Sequence, residues 1–368
     1  SVQANGALRV ETAGALNNQG GKLLGGTADI QAASLDNRNG VAQADGKLTV
    51  ANTGALQNQG GGLFGGSADI KAASLSNTDG KVVSGGVLDV NTTGNLDNTG
   101  GTVAAQGQAT LNAQTLSNTR GIVAAANLTL KTQGLLDNRA GLIQADNLLA
   151  LTAGSLNNRA TLANGTPGAS ATTTAQAGAT PTSTSALGVM GKQVTVNANA
   201  IDNQSGRIGA GQDLGVATST LDNTSGNVSS DANAKLAANN LINSSGAVTA
   251  GNSLELTTGN LDNDGKLHAG QDLKITANTL TNRATGELVA GRNTELNISA
   301  MLTNAGLIDG GYTRIGAGTL LNTGRIYGDR IGIQTPTLIN DPNAVIASRG
   351  DLDLGVGTLT NREHALIY

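Results

Sequence analysis

A Leu-x-Asn triplet returns about every twenty residues along these 368 residues, and no other feature constrains the fold so strongly. Its asparagines are Asn18, Asn37, Asn58, Asn77, Asn98, Asn118, Asn138 and Asn158. After a break they resume at Asn203, where Ile201 replaces the leucine. The series continues at Asn223, Asn243, Asn263, Asn282, Asn304, Asn322, Asn340 and Asn361. Outside the break, successive asparagines stand 18 to 22 residues apart. A fixed period in this range marks a solenoid, in which each repeat is one coil stacked on the next.

Within one repeat the apolar residues alternate. In residues 46–66, Leu48 and Val50 share one face of a strand, as do Leu56 and Asn58, and Leu63 with Gly65. Helical i, i+3, i+4 spacing does not fit this alternation. Three short strands per turn of about twenty residues predict an all-β chain, a right-handed parallel β-helix. Each strand then pairs with its equivalents one turn above and below.

The triplet asparagine has the same parity as its leucine, so it points inward too. A buried amide without partners costs about 1–3 kcal/mol. The favoured solution is a ladder in which each asparagine side chain bonds the next one along the axis or the turn backbone. The alternative is a left-handed capping residue. Ten of the 17 asparagines have glycine three residues later. Glycine takes positive φ without steric cost, so this position is the expected corner.

The first turns carry a longer period. Residues 6–40 and 46–80 align without gaps at 22 of 35 identical positions, which indicates duplication of a two-turn unit. The break holds an Ala/Thr/Ser/Gly/Pro tract that cannot bury a core. The expected organisation is therefore β-helix turns over 1–160, an inserted low-complexity loop over 161–193, and turns over 194–368 continuing the same rod. That loop is expected to be mobile and dispensable for folding. The last sixty residues are less regular and hold Tyr312, Arg314, Arg325, Tyr327 and Arg330, a candidate exposed interface patch weighed against decay of the repeat.

Composition narrows the function. Aromatic residues make up 1% of the chain, so the core is built from Leu, Val, Ile and Ala. The net charge of −4 and the lack of a basic patch argue against nucleic acid as a partner. No apolar stretch is long enough to span a bilayer as a helix. The chain has no cysteine, which fits export across a bacterial envelope and a cytosolic protein alike. No signal peptide is read, and the chain opens and closes inside the repeat, as an excised segment would. Strand edges around residues 8–10 and 352–354 are then expected to favour end-to-end association.

No cofactor or metal is expected. His268 and His364 are lone histidines with no cysteine or second histidine nearby. A β-helix enzyme would need two carboxylates flanking a groove, whereas Asp29, Asp69 and Asp89 read as a solvated outward column. An ice-binding face would need repeated threonine. The outward residue of the first strand instead runs Arg9, Asp29, Thr49, Asp69, Asp89, Thr110, Thr129, Ala150 and Thr195.

The unit LxNxxG-[VIL]-x-[AG]-G-x-x-L-x-[VIL] resembles the filamentous haemagglutinin-type repeat of bacterial two-partner-secretion exoproteins. GRIGAGQDLGV (206–216), GKLHAGQDLKI (265–275) and GELVAGRNTELNI (286–298) are close matches to that pattern. The resemblance covers the chain apart from the 161–193 loop. It implies a secreted or cell-surface shaft from an adhesin, a haemolysin-like exoprotein or a contact-dependent growth inhibition effector. Export through an outer-membrane two-partner-secretion transporter is implied as well, with flanking domains of the same exoprotein doing the work at the tip. The alternatives are a receptor- or glycan-binding module of such an adhesin and, more remotely, a carbohydrate-active enzyme.

Overall fold

The computed structural model describes residues 1–162 and 187–368. The chain divides into two compact units, Ser1–Ala198 and Asn199–Tyr368. In each, strands pair in parallel with their equivalents about one repeat away. Among the described residues there is no helix. Each unit is a parallel β-solenoid of about twenty residues per turn.

One turn of the first unit shows how the sequence dictates this. Strand Ile122–Thr132 contains the third strand of one repeat and the first of the next, with a register irregularity between Ala125 and Asn127 at the bend. Strand Leu135–Asp137 follows and stops one residue before Asn138. Val123, Ala125, Leu128, Leu130 and Leu136 are buried, while Ile122, Thr129 and Lys131 between them face outward. Along the axis like stacks on like. Leu111, Leu130 and Leu151 pair in register, and so do Leu116, Leu136 and Leu156. Each such leucine contributes about 1.5–3 kcal/mol of burial, so an aliphatic core suffices.

The second unit repeats the scheme with Leu256, Ile275, Leu296, Ile315 and Ile333 in one buried column. Four buried positions of this unit hold threonine, Thr258, Thr294, Thr313 and Thr335. Thr294 and Thr313 are fully buried, and their hydroxyls donate to the carbonyls of Asp309 and Tyr327 at 2.6 Å. The buried hydroxyls are thereby satisfied.

The expected inserted loop lies largely outside the described residues, with only its borders in view. The chain leaves at the corner after Asn158, where Thr161 is buried and its hydroxyl donates to the Asn158 carbonyl at 3.1 Å. It returns with Gly188, whose N–H donates to the Gly141 carbonyl at 2.9 Å. Gly188–Asp202 is a strand, so residues 188–193 of the expected loop belong to a turn, with Val189 buried. The insertion therefore occupies the interval between a corner and the strand that follows it.

Most of the irregular spacing in the second unit is absorbed at the corners. After Asn243 the asparagine amide bonds the carbonyl three residues on, at Gly246; after Asn263 and Asn304 it bonds two residues on, at Gly265 and Gly306; after Asn282 and Asn361 it bonds four residues on, at Gly286 and Ala365. The strands keep their register while the corner shortens or lengthens. The last turns are thus variants of one coil.

Candidate functional site

The asparagines form a ladder within each unit. In the first, Asn18 Nδ2 donates to Asn37 Oδ1 at 2.6 Å, and the series runs through Asn58, Asn77, Asn98, Asn118 and Asn138 to Asn158 with distances up to 2.9 Å. In the second, Asn203 begins an equivalent series through Asn223, Asn243, Asn263, Asn282, Asn304, Asn322 and Asn340 to Asn361 at 2.8 to 2.9 Å. Asn37 to Asn158 and Asn203 to Asn340 are fully buried in the triplet series; Asn18 is buried and Asn361 is exposed. Most amides also donate to a corner carbonyl and to a strand carbonyl of the next turn, as Asn118 does to Gly121 and Leu142. Every donor points toward the C-terminal neighbour, so the amide dipoles align and polarise one another.

The corner geometry differs from the expectation that the glycine after the ladder residue supplies positive φ. In eleven corners the positive φ falls one residue earlier, at Gly20, Asn39, Gly60, Asp79, Gly100, Arg120, Ala140, Ala160, Ser205, Ser225 and Ser245, while after Asn340 and Asn361 it falls on the third residue, Asn343 and His364. The next residue closes the turn, as in Gly80 N–H to Asn77 O at 3.0 Å. Where that residue is glycine, its neighbours leave no room for a side chain. A Cβ on Gly80, Gly121, Gly141 or Gly226 would penetrate the carbonyl oxygen of the preceding turn's asparagine and crowd the ladder amides. Close stacking of turns excludes the side chain.

Outward residues form columns whose spacing is about 4.8 Å. In the first unit, Asp69 and Asp89 are adjacent in register. Asp69 is flanked by Lys47 at 3.9 Å and Lys71 at 3.5 Å, so its charge is offset at the surface. In the second unit, the same strand position carries Lys235, Glu255, Lys274, Glu295 and Arg314 in consecutive turns. Lys235 and Glu255 are 3.3 Å apart. In-register stacking would place like charges side by side, and alternating signs remove that repulsion. Reading the first-strand outward column beyond Thr195 reveals this alternation in the sequence.

Nearby charges lower two carboxyl pKa values. Asp36 is held below the ordinary aspartate range by the Arg38 guanidinium, and Asp272 by Arg292 and then Asn293. Desolvation raises that of Asp146. His268 Nε2 lies 2.8 Å from Glu287 Oε2, and His364 Nε2 lies 3.2 Å from Glu363 Oε1. Among the described residues no group of three metal-ligating side chains is assembled.

Tyr312, Arg314 and Arg330 come together on stacked first strands, while Arg325 and Tyr327 lie on the separate strand Arg325–Gly328. The Arg330 guanidinium sits 5.4 Å from the Tyr312 ring centroid and its Nε is 3.3 Å from Asp351 Oδ2. The tyrosine covers a glycine: a Cβ on Gly332 would lie 3.1 Å from the Tyr312 hydroxyl. Phe64 covers Gly62 in the same way. An aromatic ring laid over a strand glycine shields backbone that lacks its own side chain.

A parallel solenoid with a buried asparagine ladder recurring turn after turn defines a repeat-built β-solenoid protein. The haemagglutinin repeat matches residues 1–60, 25–100 and 329–367, and together with the solenoid these matches fit a filamentous haemagglutinin-type repeat region. That repeat points to an adhesin-like β-helical shaft and provides no positive sign of catalysis. No curated protein and no solved structure matches the chain.

Proposed function

We propose that this chain is a shaft segment of a large secreted exoprotein that presents an adhesive or toxic domain to other cells. The observation that carries the reading is repetition: the same buried ladder and inward columns recur turn after turn in both units. Adding turns changes reach without requiring a new fold. The haemagglutinin-repeat matches support a surface location, and the reading includes export through an outer-membrane two-partner-secretion transporter. The lack of cysteine is compatible with that route.

Removing whole turns tests it. Deletion of residues 41–80 from the parent protein takes out two turns between equivalent corners. A shaft retains folding, surface display and tip activity after this deletion. Loss of receptor or glycan binding with display and fold intact would instead assign recognition to these turns. A glycan array probed with the isolated chain and with Tyr312→Ala gives a second readout. The shaft reading expects no specific glycan signal from either.

A further inference from the structure

The second strands of the second unit carry an outward face that breaks with the rest of the molecule. Over five consecutive turns its two columns read Thr279, Met301, Thr319, Thr337, Thr358 and Thr281, Thr303, Leu321, Ile339, Thr360. Every one is exposed or half-buried, and none is charged or bears an amide. The same positions earlier in this unit hold Thr220, Asn240 and Asn260 in one column and Asp222, Ile242 and Asp262 in the other, so four of the six are charged or bear an amide. Thus the change is confined to one stretch of one face. The rows repeat at about 4.8 Å and the columns lie about 6.6 Å apart, two residues along a strand.

The geometry points to this face as a lateral contact with a second copy of the chain. Two features select that occupant. A rigid grid with this row spacing is matched across five rows by a surface of identical pitch, and another copy supplies it by construction. In a two-fold contact the same patch meets itself, so a patch whose charges are all of one sign meets that same sign. The ten positions carry none. An outward column of the first unit that holds Leu24, Phe64 and Val83 lacks this self-compatibility because Lys22 and Lys81 share its face. The footprint is narrow beside that of a stable protein interface, about 800 Å² per partner, so the pairing is weak and concentration-dependent.

The absence of cysteine makes a direct test available. Thr319 lies in the middle row, and Thr319→Cys creates the sole thiol. Under mild oxidation across a protein concentration series, we expect a covalent dimer to form about tenfold faster than with Thr129→Cys, whose site lies on a different face. Adding Ile339→Lys to the Thr319→Cys chain should remove the advantage without changing the β circular-dichroism spectrum or the melting temperature. Equal rates for Thr319→Cys and Thr129→Cys would overturn the proposal. So would an unchanged rate in the lysine variant. Ice-recrystallisation inhibition by an uncrosslinked Thr319→Cys chain, abolished by Ile339→Lys, would assign the face to ice instead.

Discussion

The side-chain amide of Asn118 donates to Oδ1 of Asn138 at 2.8 Å, while its own Oδ1 accepts from Asn98 at the same distance. These residues are about one repeat apart in sequence and adjacent along the axis. One asparagine therefore belongs to three turns, and its loss is felt in its neighbours.

Asn118→Leu removes the acceptor of Asn98 and the donor to Asn138 inside a buried column. The expected loss is about 1–3 kcal/mol for each group left unpaired, at most. The outward change Thr129→Ser should stay within about 0.5 kcal/mol. Chemical denaturation of both variants checks this, and equal midpoints would contradict a stabilising ladder.

Asn52 points the other way. It is buried at the bend after the first strand, and neither side-chain polar atom has a partner. The residues in the same position one turn before and after are Ala32 and Ala72, both buried. Asn52→Ala is expected to raise stability by about 1 kcal/mol by removing an unsatisfied amide. A lower melting temperature for this variant would reveal a hidden partner.

The corners permit a paired test. Ala140 has φ of 50°, whereas Gly141 lies outside the positive-φ set. Ala140→Gly relieves left-handed strain of about 1–2 kcal/mol but adds chain entropy costing about 0.5–1 kcal/mol, for a small net gain. Gly141→Ala drives a Cβ into the Asn118 carbonyl and should cost about 1–3 kcal/mol. Thermal melts of the two variants should move in opposite directions.

Acid should weaken the second unit through Asp272. Its pKa is lowered in the folded state by Arg292 and then Asn293, and Arg292 Nε donates to Asp272 Oδ1 at 3.0 Å. A lowered folded pKa means that this contribution is fully present above the unfolded aspartate value, about 3.9. It is lost as pH falls through the folded pKa. Asp272→Asn should lose less stability than the parent on going from neutral pH to below that range. Parallel melts at the two pH values provide the check, with equal losses as the contrary result.

Some of this architecture is legible one residue at a time. Alternation in Leu128–Leu130 and Leu136–Asn138 identifies strands because side-chain direction in a strand depends only on parity. The spacing of Asn18 to Asn361 identifies stacking because a coil that buries one face needs a neighbour like itself. The Tyr312, Arg314 and Arg330 cluster is also foreshadowed by its residues, but its cover over Gly332 requires knowing which strands are adjacent.

By itself the sequence determined the strand periodicity, the aliphatic core and the inward parity of the asparagines, since these depend on local chain direction. Tertiary structure decided what arises between turns: that Asp79 takes positive φ while Gly80 makes room for the Asn58 carbonyl, that corners of different length keep strands in register, and that threonines from five distant triplets form one uncharged face. Residues far apart in sequence become neighbours only when their turns stack, so the steric and electrostatic demands between them are set there.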